Sequence, residues 1–279
     1  MARVGATGSL NPAIVPRPLS ARSVVASTLL GTTPPRLPGR LLVAFAGEFG
    51  INPGTTRVAL TRMVERGELR RVDDGVYELC GELLRRQERQ EAGLQPAVRD
   101  WEGEWETVVV RSGGRTSPDR AALRRACGHL GLAELREGVW TRPDNLDPDR
   151  LASARSVVAA QTDRFVGRPD ADPAELAARL FPLAEWANEA SRLVAELATM
   201  DRRLEREAPV PLAEGFGLAA DALRHLVADP LLPGALVPDR WPAKELRAAH
   251  GRYDVAYRAE LSAFFRARRD ASARPTLAS

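Results

Sequence analysis

The sequence has little of what a stapled or metal-built protein needs. Its 279 residues include two cysteines, Cys80 and Cys127, far apart in the chain. They cannot form a disulfide framework, and a reducing compartment is expected. The three histidines, His129, His225 and His250, share no metal-ligand spacing with one another or with the cysteines, so no metal site is expected. Aromatic residues make up only 5% of the chain, and no run of about 18 apolar residues appears, so no membrane span is expected. Residues Met1 to Pro18 have no apolar core between their charges and do not read as a secretory signal. Lysine is almost absent. Lys244 is the only one, so 39 of the 40 basic residues are arginines.

What is present is an ordinary globular composition, 44% hydrophobic and 28% charged, long enough for two or three domains. A cytoplasmic protein is expected. The charge is uneven. Residues 1–90 hold 13 arginines against 8 acids, while residues 91–279 hold 27 basic residues against 29 acids. A bias of coding sequence towards arginine explains the arginine-for-lysine exchange but not this asymmetry. An excess at one end points to an anionic partner there, with nucleic acid the first candidate.

The pattern along the chain predicts an α+β protein. Residues 1–19 mix Pro, Gly, Ser and Ala without periodicity and read as a disordered tail. Ser20 is a plausible N-cap for a helix to Leu30, followed by a Pro-rich loop from Thr32 to Pro38 and a helix over 39–49. Asn52 and Pro53 then make an N-cap and first helical residue for a helix to Arg66. Thr56, Leu60 and Met63 fall on one face of it, and Gly67 is the stop. Two β-prone runs, Leu69–Val72 and Val76–Leu79, flank Asp73-Asp74-Gly75 and predict a hairpin. Helix, helix, tight turn, helix and hairpin is the order of a winged helix-turn-helix, placed at 20–80.

A short, highly charged helix from Leu83 to Ala92 lies in a connecting segment, 81–100. Residues 101–168 predict βαββαβ, a ferredoxin-like unit: a strand from Trp105 to Arg111, a helix over 118–131, strands near 132–136 and 138–142, a helix at 148–154 and a last strand at 156–165. The remainder, 169–279, is helical, with Leu176, Leu180, Leu183, Trp186, Leu193, Leu197 and Leu204 at helical spacing and a break or kink at Pro182.

Enzymatic readings find little to stand on, and no catalytic residue is assigned. Gly215-Phe216-Gly217-Leu218-Ala219-Ala220 matches a dinucleotide fingerprint, yet Pro209 and Pro211 precede it where a central strand is required. No cofactor is therefore expected. A metal-dependent nuclease on a ferredoxin-like unit needs a carboxylate ending the first strand, and Val110-Arg111-Ser112 stands there instead. Such a nucleic-acid-processing enzyme is kept as one alternative, and a scaffold of helical domains that does not bind DNA as another. The five tryptophans read as core or interface anchors, one or two of which would line a ligand cavity.

The third helix is the most informative segment. Its candidate DNA contacts are Thr55, Thr56, Arg57, Thr61 and Arg62, hydroxyl and guanidinium groups suited to phosphates and base edges. Arg70 and Arg71 on the wing, and Arg36 and Arg40 at the start of the preceding helix, are placed to hold the backbone. A solvated charged face is the plain alternative.

Three stretches resemble the PaaX-type regulators, repressors of phenylacetic acid catabolism. One is Thr55 to Met63 with Gly67 and the wing. The second is Leu130-Gly131, then Gly138 to Pro143 with Asn145-Leu146. The third is Asp229 to Pro233, Leu236 to Asp239 and Trp241-Pro242. The resemblance spans most of 20–265. It implies a homodimeric repressor on a double-stranded operator, released by an acyl- or aryl-CoA thioester such as phenylacetyl-CoA. Such a ligand would be met between the middle and C-terminal domains, if Trp140, Arg142, Arg164, Trp186 and Arg192 approach one another there. A plain core and surface role for these five fits their spacing equally well.

Overall fold

The structure is a computed structural model describing residues 19–73, 75–111, 113–205 and 212–273, with no side-chain description for 205 and 271–273. All of the tail expected over 1–19 except Leu19 lies outside the described residues.

The first unit comprises α1 (Ala21–Leu30), β1 (Arg36–Pro38), α2 (Gly39–Gly47), α3 (Pro53–Glu65), β2 (Leu69–Asp73) and β3 (Val76–Leu79). Local chemistry sets its boundaries. The Ser20 hydroxyl accepts from the Ser23 amide at 3.1 Å, capping α1. The Asn52 side chain accepts from the Gly54 amide at 2.8 Å, with Pro53 at the first helical position of α3. The hairpin is antiparallel, and a third strand completes its sheet in the order β1-β3-β2. That third strand, β1, lies in the stretch expected to be loop. It pairs Arg36 with Glu78 and Pro38 with Val76 on the outside of the sheet, where a proline's missing donor costs nothing.

The connector is α4 (Gly81–Leu94). Beyond it come β4 (Trp105–Val110), α5 (Ser117–His129), β5 (Ala133–Arg136), β6 (Val139–Pro143), α6 (Ala152–Gln161) and β7 (Thr162–Gly167). The sheet is antiparallel in the order β5-β6-β4-β7. Thr116 and Asp119 form a reciprocal capping box at the start of α5. Val108 and Trp140, neighbours across β4 and β6, pack against Leu123 and Cys127 of α5 and Val158 of α6. The sequence placed the second helix at 148–154 and the last strand at 156–165; both lie further along the chain. Ala154 and Val158, four residues apart, both bury against the sheet, so the β-branched run Val157-Val158 is helical because packing overrides propensity.

The C-terminal part is helical: α7 (Pro173–Leu180), α8 (Leu183–Glu205), α9 (Leu212–Val227), a 3-10 turn at Gly234–Leu236 and α10 (Ala243–Ala273). The break expected at Pro182 falls between α7 and α8, where Phe181 is extended as the residue before a proline must be. Among the described residues no helix is long and apolar enough to cross a membrane.

The first unit has two apolar faces. Val25, Leu29, Leu42, Leu60, Met63, Leu69 and Leu79 form its own core. Val24, Leu41 and Phe45 instead join the core of α8, α9 and α10. Phe45 is 0% exposed and meets Phe216, Phe264 and Phe265 at 5.8–5.9 Å between ring centres. Arg258 of α10 donates to the Gly31 carbonyl at the end of α1 (2.5 Å). The first unit is thus seated on the C-terminal helices rather than tethered beside them.

Gly215-Phe216-Gly217 lies inside α9, and its two glycines are not equivalent. A Cβ on Gly215 would collide with the Tyr253 hydroxyl and come within 3.0 Å of the Tyr257 ring, both on α10; a Cβ on Gly217 would meet nothing within 4 Å. The first glycine permits a close helix crossing, and the run lies inside a helix rather than at the strand-to-helix turn of a dinucleotide fingerprint. Gly215→Ala is therefore expected to lose about 1–3 kcal/mol through overpacking, outweighing the roughly 1 kcal/mol that alanine gains in a helix. Gly217→Ala is expected to stabilise by roughly 0.5–1 kcal/mol. Urea denaturation of both variants checks the opposite signs.

Candidate nucleic-acid interface and ligand cavities

Helix α3 is amphipathic about its long axis. Thr56, Leu60 and Met63 are buried against the first unit's core, while Thr55, Arg57, Val58, Thr61 and Arg62 face outward. This corrects one expectation: Thr56 is 0% exposed, and its hydroxyl turns back towards the Asn52 carbonyl at 3.4 Å, so it cannot touch DNA. Thr61 also donates to the backbone, to the Arg57 carbonyl at 3.2 Å, but stays at the surface. Val58, 52% exposed on the same face, was not among the candidates. An apolar residue on an otherwise polar face is the signal that identifies it, and a valine there suits a thymine methyl.

Between residues 36 and 71 the chain carries seven arginines: Arg36, Arg40, Arg57, Arg62, Arg66, Arg70 and Arg71. Among the described residues only Arg70 has a carboxylate partner, Glu78 across the hairpin at 2.6 Å. Arg71 lies over the Tyr77 ring at 5.9 Å. Elsewhere arginines are commonly neutralised, as in the pairs of Arg22 with Glu68, Arg99 with Asp144 and Arg247 with Asp229. An exposed face that keeps its guanidinium groups unpaired holds positive potential for an anionic partner.

The five residues considered for a ligand do not assemble. Arg142 and Trp186 line one cavity of about 200 Å³ beside α5 and the segment 227–231. Trp140 is buried in the core between the middle sheet and its helices. Arg164 pairs with Glu106 at 2.8 Å and Asp144 at 3.0 Å. Arg192 is held on the surface of α8 by Glu189 and Glu196, whose hydrogen bonds push its pKa up. Trp186 itself stacks on His225 and Trp241, each at 4.5 Å.

Arg142 is committed to the protein. It is 1% exposed, and its guanidinium donates to the carbonyls of Leu130 (2.6 Å), Pro143 (3.1 Å), Pro230 (3.2 Å) and Leu231 (3.3 Å) and to Asn145 Oδ1 (2.9 Å). Burial pushes its pKa down to about 10, which leaves it charged at neutral pH. A Cβ on Gly131 would sit 2.5 Å from its Nη1, so this close approach requires glycine. Asn145 also donates to the Leu231 carbonyl (2.9 Å), and Asp229 accepts from the Leu231 amide while pairing with Arg247 of α10 at 2.7 Å. Asp229–Leu231 is therefore the junction at which the middle sheet is fastened to the C-terminal helices. A second, larger cavity, of about 470 Å³, lies between α1, α4, α9 and α10.

Comparison with known proteins matches the first unit and the C-terminal helices. The PaaX-like protein family model matches residues 20–83, and the PaaX-like protein C-terminal domain model matches residues 181–267, together more than half the chain. The chain belongs to the PaaX-like protein family. It is similar to a solved structure described as an uncharacterized protein, Rv0674, from Mycobacterium tuberculosis, with 41% identity and a TM-score of 0.65 over 88% of this chain and 98% of that one. No curated protein matches.

Proposed function

We propose that this PaaX-like protein is a DNA-binding transcriptional regulator without catalytic activity, acting in the cytoplasm. Residues 20–80 form its winged helix-turn-helix, with α3 as the recognition helix and β2–β3 as the wing; 101–168 form a ferredoxin-like unit and 169–279 a helical domain. The observation that carries the reading is the outward face of α3, where Arg57 and Arg62 have no carboxylate partner among the described residues and stand beside Thr55, Val58 and Thr61. Arg36, Arg40 and Arg71 are exposed around it, suited to phosphate contacts.

The family context supports a repressor of a phenylacetate-type operon, released by an aryl-CoA thioester. Such a thioester must bind the free conformation better than the DNA-bound one, since equal affinity shifts nothing. One recognition helix reads few base pairs, so the protein acts as a homodimer on an inverted repeat. The outer strand β7, with Phe165 59% exposed and Val166 beside it, offers the middle sheet a surface for that pairing. The nuclease reading has less support, because the residue following β4 is Arg111, paired with Asp163 at 2.8 Å.

A gel shift on the DNA upstream of the protein's own coding sequence, with and without phenylacetyl-CoA and related thioesters, tests the whole reading. A shifted band released by a thioester is the expected result. A band that no thioester releases removes the effector and leaves DNA binding; no band at any protein concentration removes the regulator.

A further inference from the structure

The connector α4 is fastened at its C-terminal end by side chains that the helix does not itself supply. The last carbonyls of a helix have no partner within it, and the last turn of α4 contains no basic residue. Two arginines from distant segments answer them. Arg150, in the turn before α6, donates to the Ala92 carbonyl at 2.7 Å. Arg247 of α10 donates through Nε to the Gly93 carbonyl at 3.1 Å and through Nη2 to Asp229 at 2.7 Å. Cations at this end also meet the negative pole of the helix. The Asp229 side chain is 2% exposed and that of Arg247 14%, so the ion pair is shielded from solvent. Burial, and then the Arg247 charge, push the Arg150 pKa down.

The chain beyond α4 is held as well. The Arg99 amide donates to the Asn145 carbonyl (2.8 Å), the Asp147 amide donates to the Ala97 carbonyl (3.1 Å), and Arg99 pairs with Asp144. The helix itself is anchored in two cores: Leu83 in that of the first unit, Leu94 against that of the C-terminal helices. At Gly93 a Cβ would press to 2.9 Å on Val227 of α9, so the helix end lies tight on its neighbour. Fourteen residues make a strut of about 21 Å between the first unit and the place where middle sheet and C-terminal helices meet.

We propose that Arg150 and Arg247 are positioning residues: by fixing the end of α4 they set the angle at which α3 stands relative to the middle sheet, and with it the half-site spacing that the protein accepts on DNA. Phe45 seats the first unit on the C-terminal helices; α4 is its covalent link to the middle sheet. The clamp is independent of DNA, and only its effect on spacing rests on the proposed dimeric regulator. Two recognition helices held at a fixed separation engage both half-sites together only where the DNA matches it. A loosened strut gives up part of that gain and tolerates more spacings.

The test uses the full chain with nitroxide labels at Glu65→Cys on α3 and Arg120→Cys on α5, in a Cys80→Ser background, read by electron–electron double resonance. Cys127, 1% exposed, is left in place. The intact clamp is expected to give one narrow distance distribution, and Arg150→Ala a wider one. Unlabelled protein is then titrated with the upstream inverted repeat, the same repeat with two base pairs inserted between its halves, and a single half-site. The insertion turns one half-site by about a fifth of a helical turn. The wild type is expected to lose about thirtyfold or more on insertion. Arg150→Ala is expected to bind the half-site within about twofold of wild type and the original repeat roughly tenfold more weakly, and to lose only about threefold on insertion. Arg247→Lys, which keeps a cation for Asp229 but has no fork for Gly93, is expected to follow it. Arg150→Lys, whose ammonium can donate to the same carbonyl, restores part of the preference. Arg85→Ala, whose pair with Glu82 lies on the surface of the same helix, behaves as wild type.

A distribution as narrow in Arg150→Ala as in the wild type, or an unchanged spacing preference, overturns the proposal. So does an equal loss on half-site and repeat, which is what a general loss of folded protein gives. If the wild type binds no duplex, the regulator reading fails while the distance measurement still decides the clamp.

Discussion

Replacing Arg142 by methionine is expected to lower folding stability by about 3–5 kcal/mol, the largest effect of any single substitution considered for this protein. The side chain has a similar length, so packing is largely kept; what goes is the donor set. Four backbone carbonyls and the Asn145 side chain accept from this one guanidinium. Each buried acceptor left unmet costs roughly 1–3 kcal/mol, and partial relaxation recovers some of the sum. The loss is compounded at Leu231, whose φ of +51° is held in place by Arg142, Asn145 and Asp229 together. Arg192→Ala is the contrast: it also removes ion pairs, but between half-exposed side chains on the surface of α8, and the expected loss is below about 1 kcal/mol. Urea midpoints at unchanged m-value report both. Equal losses for the two variants would show that burial and the backbone acceptors do not set the value of Arg142.

The second large effect is on DNA. Arg57→Ala and Arg62→Ala are each expected to weaken operator binding by roughly 1–3 kcal/mol if their guanidinium groups reach base edges. Both side chains are exposed and unpaired among the described residues, so stability should change by no more than about 0.5 kcal/mol, and an affinity loss cannot be blamed on unfolding. Arg70→Ala is expected to do less, and to do it equally on all sequences, because Arg70 is already paired with Glu78 and sits on the hairpin. Fluorescence anisotropy against the operator and against an unrelated duplex separates the two behaviours. If all three variants bind like the wild type, the outward face of α3 is not the recognition surface.

The parts of this structure that were legible in the sequence are those with local causes. Helix α3 announced itself by Asn52 and Pro53 at its start and Gly67 beyond its end, and its outward arginines followed from the inward Leu60 and Met63. The hairpin followed from Asp-Gly between β-prone runs. Strand β1 was not legible, because three residues ending in a proline join a sheet only through the backbone of a distant strand. Helix α6 was missed for a related reason: Val157 and Val158 favour a strand until the sheet they pack against is known. The ligand candidates are engaged elsewhere. Trp140, Arg164 and Arg192 have the right chemistry but are used by the core, by Glu106 and by the α8 surface respectively. Thr56 illustrates the limit of pattern alone, since its hydroxyl suits DNA while its position on the helix buries it.

The central claim is that α3 reads a DNA sequence. The most direct measurement is the affinity of the full chain for a duplex from upstream of its own coding sequence, set against a scrambled duplex of equal length and composition, at two salt concentrations. The account predicts at least about a thousandfold preference for the upstream duplex, as specific sites commonly show, with an affinity for both that falls as salt rises. Equal affinity for the two duplexes, or no binding to either, would contradict it.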